Sequence, residues 1–183
     1  MARDITGKTV AFLLTDGFED SELTEPWNAV RDAGGTPVLV APKSGEVEGE
    51  HGHRQAVDRE VADSVASAFD ALVLPGGVVN ADHLRMDDDA VDFVRAFFEE
   101  RKPVAVICHG SWIMTDADVV EGRRVTSYPS LRTDLVNAGA EWVDEEVVVD
   151  QGLVSSRTPD DLPAFCRKLV EEVAEGPHAR QHA

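Results

Sequence analysis

The stretch Lys102-Pro103-Val104-Ala105-Val106-Ile107-Cys108-His109-Gly110 constrains this chain most. Val104 to Ile107 is a short apolar run with no polar interruption, the pattern of a strand buried on both faces of a parallel sheet. Thr9 to Leu14, Pro37 to Ala41 and Ala71 to Leu74 repeat that pattern. Between them, Leu23, Trp27, Val30 and Ala33, and then Ala90, Phe93, Val94, Phe97 and Phe98, fall at helical spacing, the first helix ending at Gly34-Gly35. Pro42 to Arg59 is a polar, glycine-containing excursion that predicts a hairpin or flap. After the cysteine, Ser111 to Met114 reads as the start of a helix. Arg124 to Ser127, Glu146 to Val149 and Leu153 to Ser156 read as strands, and Leu131 to Ala138 and Pro163 to Val173 as helices. Strand and helix patterns in alternation predict one α/β domain over residues 1–175 with a mainly parallel sheet. Residues 176–183 lack apolar periodicity and are predicted to be a disordered tail.

Cys108 follows its strand directly and stands immediately before a glycine-bearing turn, so it is predicted to lie in a strand-to-helix elbow at the carboxyl edge of the sheet. Unpaired amides at such a helix start favour a thiolate, which predicts a depressed pKa. A lone cysteine is often mere core, but an adjacent histidine and glycine are not needed for packing. Ligands of open α/β sheets bind at that same edge. Two further loops leave it: Asp16-Gly17-Phe18-Glu19-Asp20-Ser21-Glu22, and Pro75-Gly76-Gly77-Val78-Val79-Asn80-Ala81-Asp82. The glycines let backbone N–H groups approach a developing oxyanion, so the amides of Gly76, Gly77 and His109 are the expected donors. Without the elbow, Glu19 would read as an acid at a helix start, His109 as a turn residue and Asp82 as a helix N-cap.

Composition narrows the partners. The 183 residues carry 35 acids against 17 bases, a formal net charge of −18, which argues against nucleic acid and anionic membranes as partners. No apolar run spans a bilayer, and Met1 to Lys8 lacks the apolar core of a signal peptide, so a cytoplasmic location is expected. The scattered acids form a solvated coat suited to a salt-rich cytoplasm, where screening relieves self-repulsion. The two cysteines, Cys108 and Cys166, lie far apart in sequence and predict no disulfide framework; Cys166 is expected to react slowly. His51 and His53 lie in the flap, and no metal and no cofactor is expected.

Phe18-Glu19-Asp20-Ser21-Glu22-Leu23, Asp70 to Gly77, Ala105 to Gly110, Thr126-Ser127-Tyr128-Pro129-Ser130, Asn137 to Trp142 and Val154-Ser155-Ser156-Arg157 together make nearly the whole chain resemble one family. It is similar to the PfpI-like intracellular cysteine peptidases and stress proteins of the DJ superfamily. The resemblance implies a three-layer sandwich, flavodoxin-like and of the class I glutamine-amidotransferase type. It implies Cys108 as nucleophile, Glu19 as the carboxylic acid hydrogen-bonded to its sulfur, and His109 as a neighbouring base. His109 follows Cys108 directly, so its side chain is expected to point away from the sulfur of the same chain. Asp82 of a partner subunit would orient His109, which implies a homodimer at least, with hexamers in the family. Ser111-Trp112 departs from a family pattern that often has Pro there, and Asp82 stands where Glu is frequent. The activity implied is cysteine chemistry on a small carbonyl or a peptide, either glyoxalase III or deglycase-like or peptidase. The alternative is a redox-sensing or chaperone-like stress protein whose Cys108 oxidises reversibly. Glutamine amidotransfer is disfavoured, because the region after Ser155 offers Arg157-Thr158-Pro159 and no His-x-Glu.

Overall fold

The computed structural model describes residues 3–181. Its strands and helices alternate in the order β1 (Thr9–Leu13), α1 (Asp20–Asp32), β2 (Thr36–Ala41), β3 (Glu46–Glu48), β4 (Arg54–Ala56), β5 (Arg59–Glu60), β6 (Ala71–Leu74). Then follow α2 (Val78–Leu84), α3 (Asp88–Glu99), β7 (Val104–Ile107), α4 (Ile113–Asp116), β8 (Arg124–Val125) and α5 (Arg132–Asn137). The chain ends through β9 (Glu141–Trp142), β10 (Val148–Asp150), β11 (Leu153–Ser156) and α6 (Leu162–Glu175). Seven strands form the central sheet in the order β10-β11-β7-β6-β1-β2-β5. All neighbours in it are parallel except the β10–β11 edge pair.

The uninterrupted apolar runs have the burial they imply: every residue of β6 and β7 is buried. Alternate residues face opposite layers, as the two-residue period of a strand requires. Ala11, Leu13, Leu72, Leu74, Val104 and Val106 pack with Phe93, Phe97 and Phe98 of α3. Val10, Phe12, Val73, Ala105 and Ile107 face the other way, onto Leu23 and Val30 of α1 and Phe165 and Leu169 of α6. The result is the expected three-layer sandwich. After β1 the chain runs outward to β2; it then returns to lay β6 on the other side of β1, so the winding reverses between β1 and β6, where ligands of such sheets gather.

The flap is the expected hairpin, formed by β3 and β4. Other elements differ from expectation. The Arg124–Ser127 segment forms only the two-residue β8, paired with β9 outside the main sheet, while Glu146–Val149 shifts to β10. The loop after β6 is short, because α2 begins at Val78; Asp82 therefore lies within a helix and is not an N-cap. The tail is docked rather than disordered over residues 176–181. Gly176 ends α6 at a φ of 79°, His178 N–H donates to Arg101 O at 2.9 Å, and Gln181 Nε2 donates to Lys102 O at 2.8 Å. The last two residues of the expected tail lie outside the described residues. No helix among the described residues is long and apolar enough to cross a membrane.

Candidate active site

Cys108 leaves β7 at a φ of 59°, a left-handed conformation rare for any residue but glycine, and begins a single 3-10 turn to Ser111. The turn can press against the sheet only because residue 110 is glycine: a Cβ there would strike the backbone oxygens of Leu74 and Pro75. Residue 76 is held to glycine in the same way, since a Cβ would come within 2.7 Å of the Cys108 Cβ. The elbow is thus present, although the helix proper starts only at Ile113. The thiol is nearly enclosed, with Cys108 8% exposed.

The carboxyl beside the sulfur is Glu22, not Glu19. Glu22 is fully buried in the first turn of α1, hydrogen-bonds Cys108, and accepts the Gly76 N–H on Oε2 at 2.7 Å. Its Oε1 has no nitrogen or oxygen partner. Glu19 is the residue before the helix, and there its side chain turns outward, to His51 Nε2 at 3.2 Å and to the Ser21 hydroxyl at 3.1 Å. The reason is helical phase. Glu22, Pro26 and Val30 recur every four residues on the buried face of α1, and Glu19 precedes the first helical position. That spacing was the available signal for Glu22.

Burial pushes Glu22 up to about 8, more than the Gly76 amide can offset, so the carboxyl is largely protonated at neutral pH. Cys108 also moves upward, contrary to the expected depression. Desolvation and the negative charge of Glu22 push the thiol to about 12, although the amides of His109 and Gly77 hydrogen-bond the sulfur and act in the other direction. Repulsion operates only when both groups are ionised. The pair therefore gives up a first proton near 8 and holds the second into strongly alkaline conditions. The amides of Gly77 and His109 point at the sulfur, whereas that of Gly76, also expected as an oxyanion donor, is occupied by Glu22.

His109 turns toward the sulfur of its own chain, with Nδ1 3.3 Å from Sγ. Its Nε2 meets the Ser130 hydroxyl at 3.2 Å, and its ring stacks on Tyr128 at 4.5 Å between centroids. Burial lowers its pKa below the ordinary imidazole value, which keeps the ring neutral. Asp82 is exposed on α2, and within one chain the contacts of His109 are to Cys108, Ser130 and Tyr128 instead.

Asn80 is a structural residue that sequence reasoning passed over. Fully buried, it accepts the Thr15 N–H at 2.7 Å and donates to Pro75 O at 3.1 Å and Gly76 O at 3.0 Å, tying the β1 and β6 loops together. The flap secures the first loop from outside: the Asp20 carboxylate accepts the N–H groups of His51 at 3.3 Å and His53 at 3.0 Å. Cys166, half-buried on α6, is raised to about 12 by burial and has no such surroundings.

A parallel α/β sandwich with a cysteine in a left-handed strand-to-helix elbow, faced by a protonated carboxyl and two backbone amides, defines a class of α/β proteins. The chain belongs to the DJ-1/PfpI family, whose sequence model matches residues 8–172. It is 47% identical over 167 residues to General stress protein 18 of Bacillus subtilis, covering 90% of this chain and 96% of that protein. It is 45% identical over 166 residues to Protein/nucleic acid deglycase 2 of Escherichia coli, covering 89% and 96%. Among solved structures, a two-domain protein of Anabaena variabilis with DJ-1/ThiJ/PfpI-like and ferritin-like domains superimposes with a TM-score of 0.88 at 33% identity. That match covers 91% of this chain and 48% of the other.

Proposed function

We propose that this chain is a cytoplasmic stress enzyme of the glyoxalase III or deglycase type, in which Cys108 attacks small reactive carbonyls and Glu22 moves the protons. The observation that carries this reading is the buried Glu22 carboxyl, raised to about 8 beside the nucleophile. A carboxyl that titrates near neutrality can both give and take a proton during turnover.

In the singly ionised pair, the reactive form has the proton on Glu22 and the charge on sulfur, where the amides of Gly77 and His109 support it. With a 2-oxoaldehyde, the C–S bond forms as the carbonyl electrons move to oxygen, and Glu22 supplies the proton that completes the hemithioacetal. Glu22, now a carboxylate, removes the proton from that carbon. Its return to the neighbouring carbon, with the hydroxyl proton passing from the first oxygen to the second, gives a thioester, which water hydrolyses to a 2-hydroxy acid and free thiol. No redox partner is consumed. Enclosure favours small substrates over an extended peptide: Cys108 and His109 are each only 8% exposed. A peptidase reading draws on the 3.3 Å approach of His109 Nδ1 to the sulfur, which would suit protonation of a leaving amine.

Asp82 belongs to the proposal in trans. Val78 and Val79, exposed on the same helix, give α2 an apolar face on which a second subunit could bring its Asp82 toward His109. Conversion of methylglyoxal to lactate, assayed beside casein cleavage, tests the reading. Turnover of methylglyoxal by wild type and none by Cys108→Ser is expected; casein cleavage without methylglyoxal turnover would refute it.

A further inference from the structure

The last turn of α6 and the docked tail bring Glu172, Glu175 and His178 together, with one donor atom from each within 4.8 Å of the others. This cluster adjoins Arg101 and Lys102, ahead of β7, whereas Cys108 follows that strand. Glu172 is 7% exposed, and its Oε2 lies 2.8 Å from His178 Nε2. Neither atom makes a hydrogen bond, because the contact lacks the alignment an N–H···O bond requires. Two buried donors close together yet misaligned are placed as ligands around a common point would be. Around a tetrahedral zinc, atoms about 2.0–2.2 Å from the ion stand about 3.3–3.6 Å apart, so this pair has only to open by about half an ångström to take one. Glu175 engages Arg3 through one carboxylate oxygen at 2.7 Å, and a carboxylate has a second.

We propose that Glu172, Glu175 and His178 form a site for a zinc-class divalent cation that clamps the tail to the end of α6. One imidazole with two carboxylates suits zinc better than the hard, all-oxygen cations, and three protein ligands leave a fourth position for water. The formal charge of −18 favours approach of any cation. Such a site, remote from the nucleophile, acts on the anchoring of the tail and not on the chemistry.

The test is zinc titration of the tag-free full chain carrying Cys108→Ser, so that the reactive thiol does not compete. One zinc per chain is expected, with a thermal midpoint raised by about 5–10 °C at a hundredfold excess over the dissociation constant and restored by a chelator. Affinity should fall at least tenfold in His178→Ala and in Glu172→Gln, stay unchanged in His51→Ala, and be absent for magnesium. Should Glu172→Gln fail to fold, cobalt absorption compared between the parent and His178→Ala decides, a band lost with His178 supporting the site. Equal zinc binding by His178→Ala, loss of binding in His51→Ala, or no zinc bound at submillimolar concentration would overturn the proposal, leaving Glu172 and His178 as a simple ion pair.

Discussion

Glu22→Gln isolates the proton on which the proposed mechanism turns. Glutamine keeps the size of the side chain and an oxygen for the Gly76 N–H, but it cannot ionise. In the folded wild type Glu22 holds its proton to about 8, against an ordinary value of 4.5. Between those limits the unfolded chain binds fewer protons than the folded one, so stability falls as pH rises. At about 1.36 kcal/mol for each pH unit, the fall reaches about 5 kcal/mol above the folded-state value. The substitution shifts the Cys108 titration, but burial holds that thiol well above this range, and the remaining titrations are shared, so the difference reports Glu22. Urea unfolding at fixed protein concentration should show the variant gaining about 3 kcal/mol on wild type between pH 5 and pH 7.5. That exceeds the error of extrapolation. A difference that stays constant across this range would mean that Glu22 ionises as an ordinary carboxylate, and the proton-shuttle argument would fail with it.

Further outcomes follow from the same geometry. Glu22→Gln should move Cys108 alkylation to lower pH, since the repelling carboxylate is gone, while carbonyl turnover falls by about 10²–10⁴-fold; unchanged turnover would remove Glu22 from the mechanism. Asn80→Ala leaves the Thr15 amide without its acceptor and should cost about 1–3 kcal/mol in denaturant unfolding, with a further loss of turnover as the two loops drift. Gly76→Ala drives a methyl into Cys108 and Glu22, so overpacking of about 1–3 kcal/mol and loss of activity are expected; a crystal structure with both side chains undisplaced would contradict the close approach. Light scattering should give at least a dimer, and a mixture of Cys108→Ser with an inactive Asp82→Ala should regain activity if Asp82 acts across the interface; no recovery after subunit exchange would confine Asp82 to the surface.

What the sequence disclosed and what it withheld divide along physical lines. Val104 to Ile107 and Ala71 to Leu74 were legible because burial on both faces demands apolar residues without interruption. Gly110 was legible as part of the tight turn after Cys108, whereas Gly76 was read as an oxyanion donor and instead makes room for Cys108 and gives its N–H to Glu22. Glu22 was missed because a glutamate is ordinarily a surface residue; its spacing with Pro26 and Val30 marked it for the buried face of α1, while only the packing of α1 on the sheet shows that this face meets Cys108. The upward shift of Cys108 was missed for the same reason, as the elbow amides were visible in the sequence while desolvation and the facing carboxylate were not. The tail misled because it is held by backbone carbonyls of Arg101 and Lys102 and by the buried side chain of Gln181, none of which leaves an apolar pattern.

The left-handed backbone at Cys108 has a consequence for how this protein can evolve. An L-residue held at a φ of 59° costs the fold about 1–2 kcal/mol that glycine would not. Buried beside a carboxyl, the thiol also adds charge repulsion as pH rises. Selection for stability alone would thus replace Cys108 first, and a lineage released from the need for the chemistry proposed for it should lose Cys108 before it loses the sheet around it.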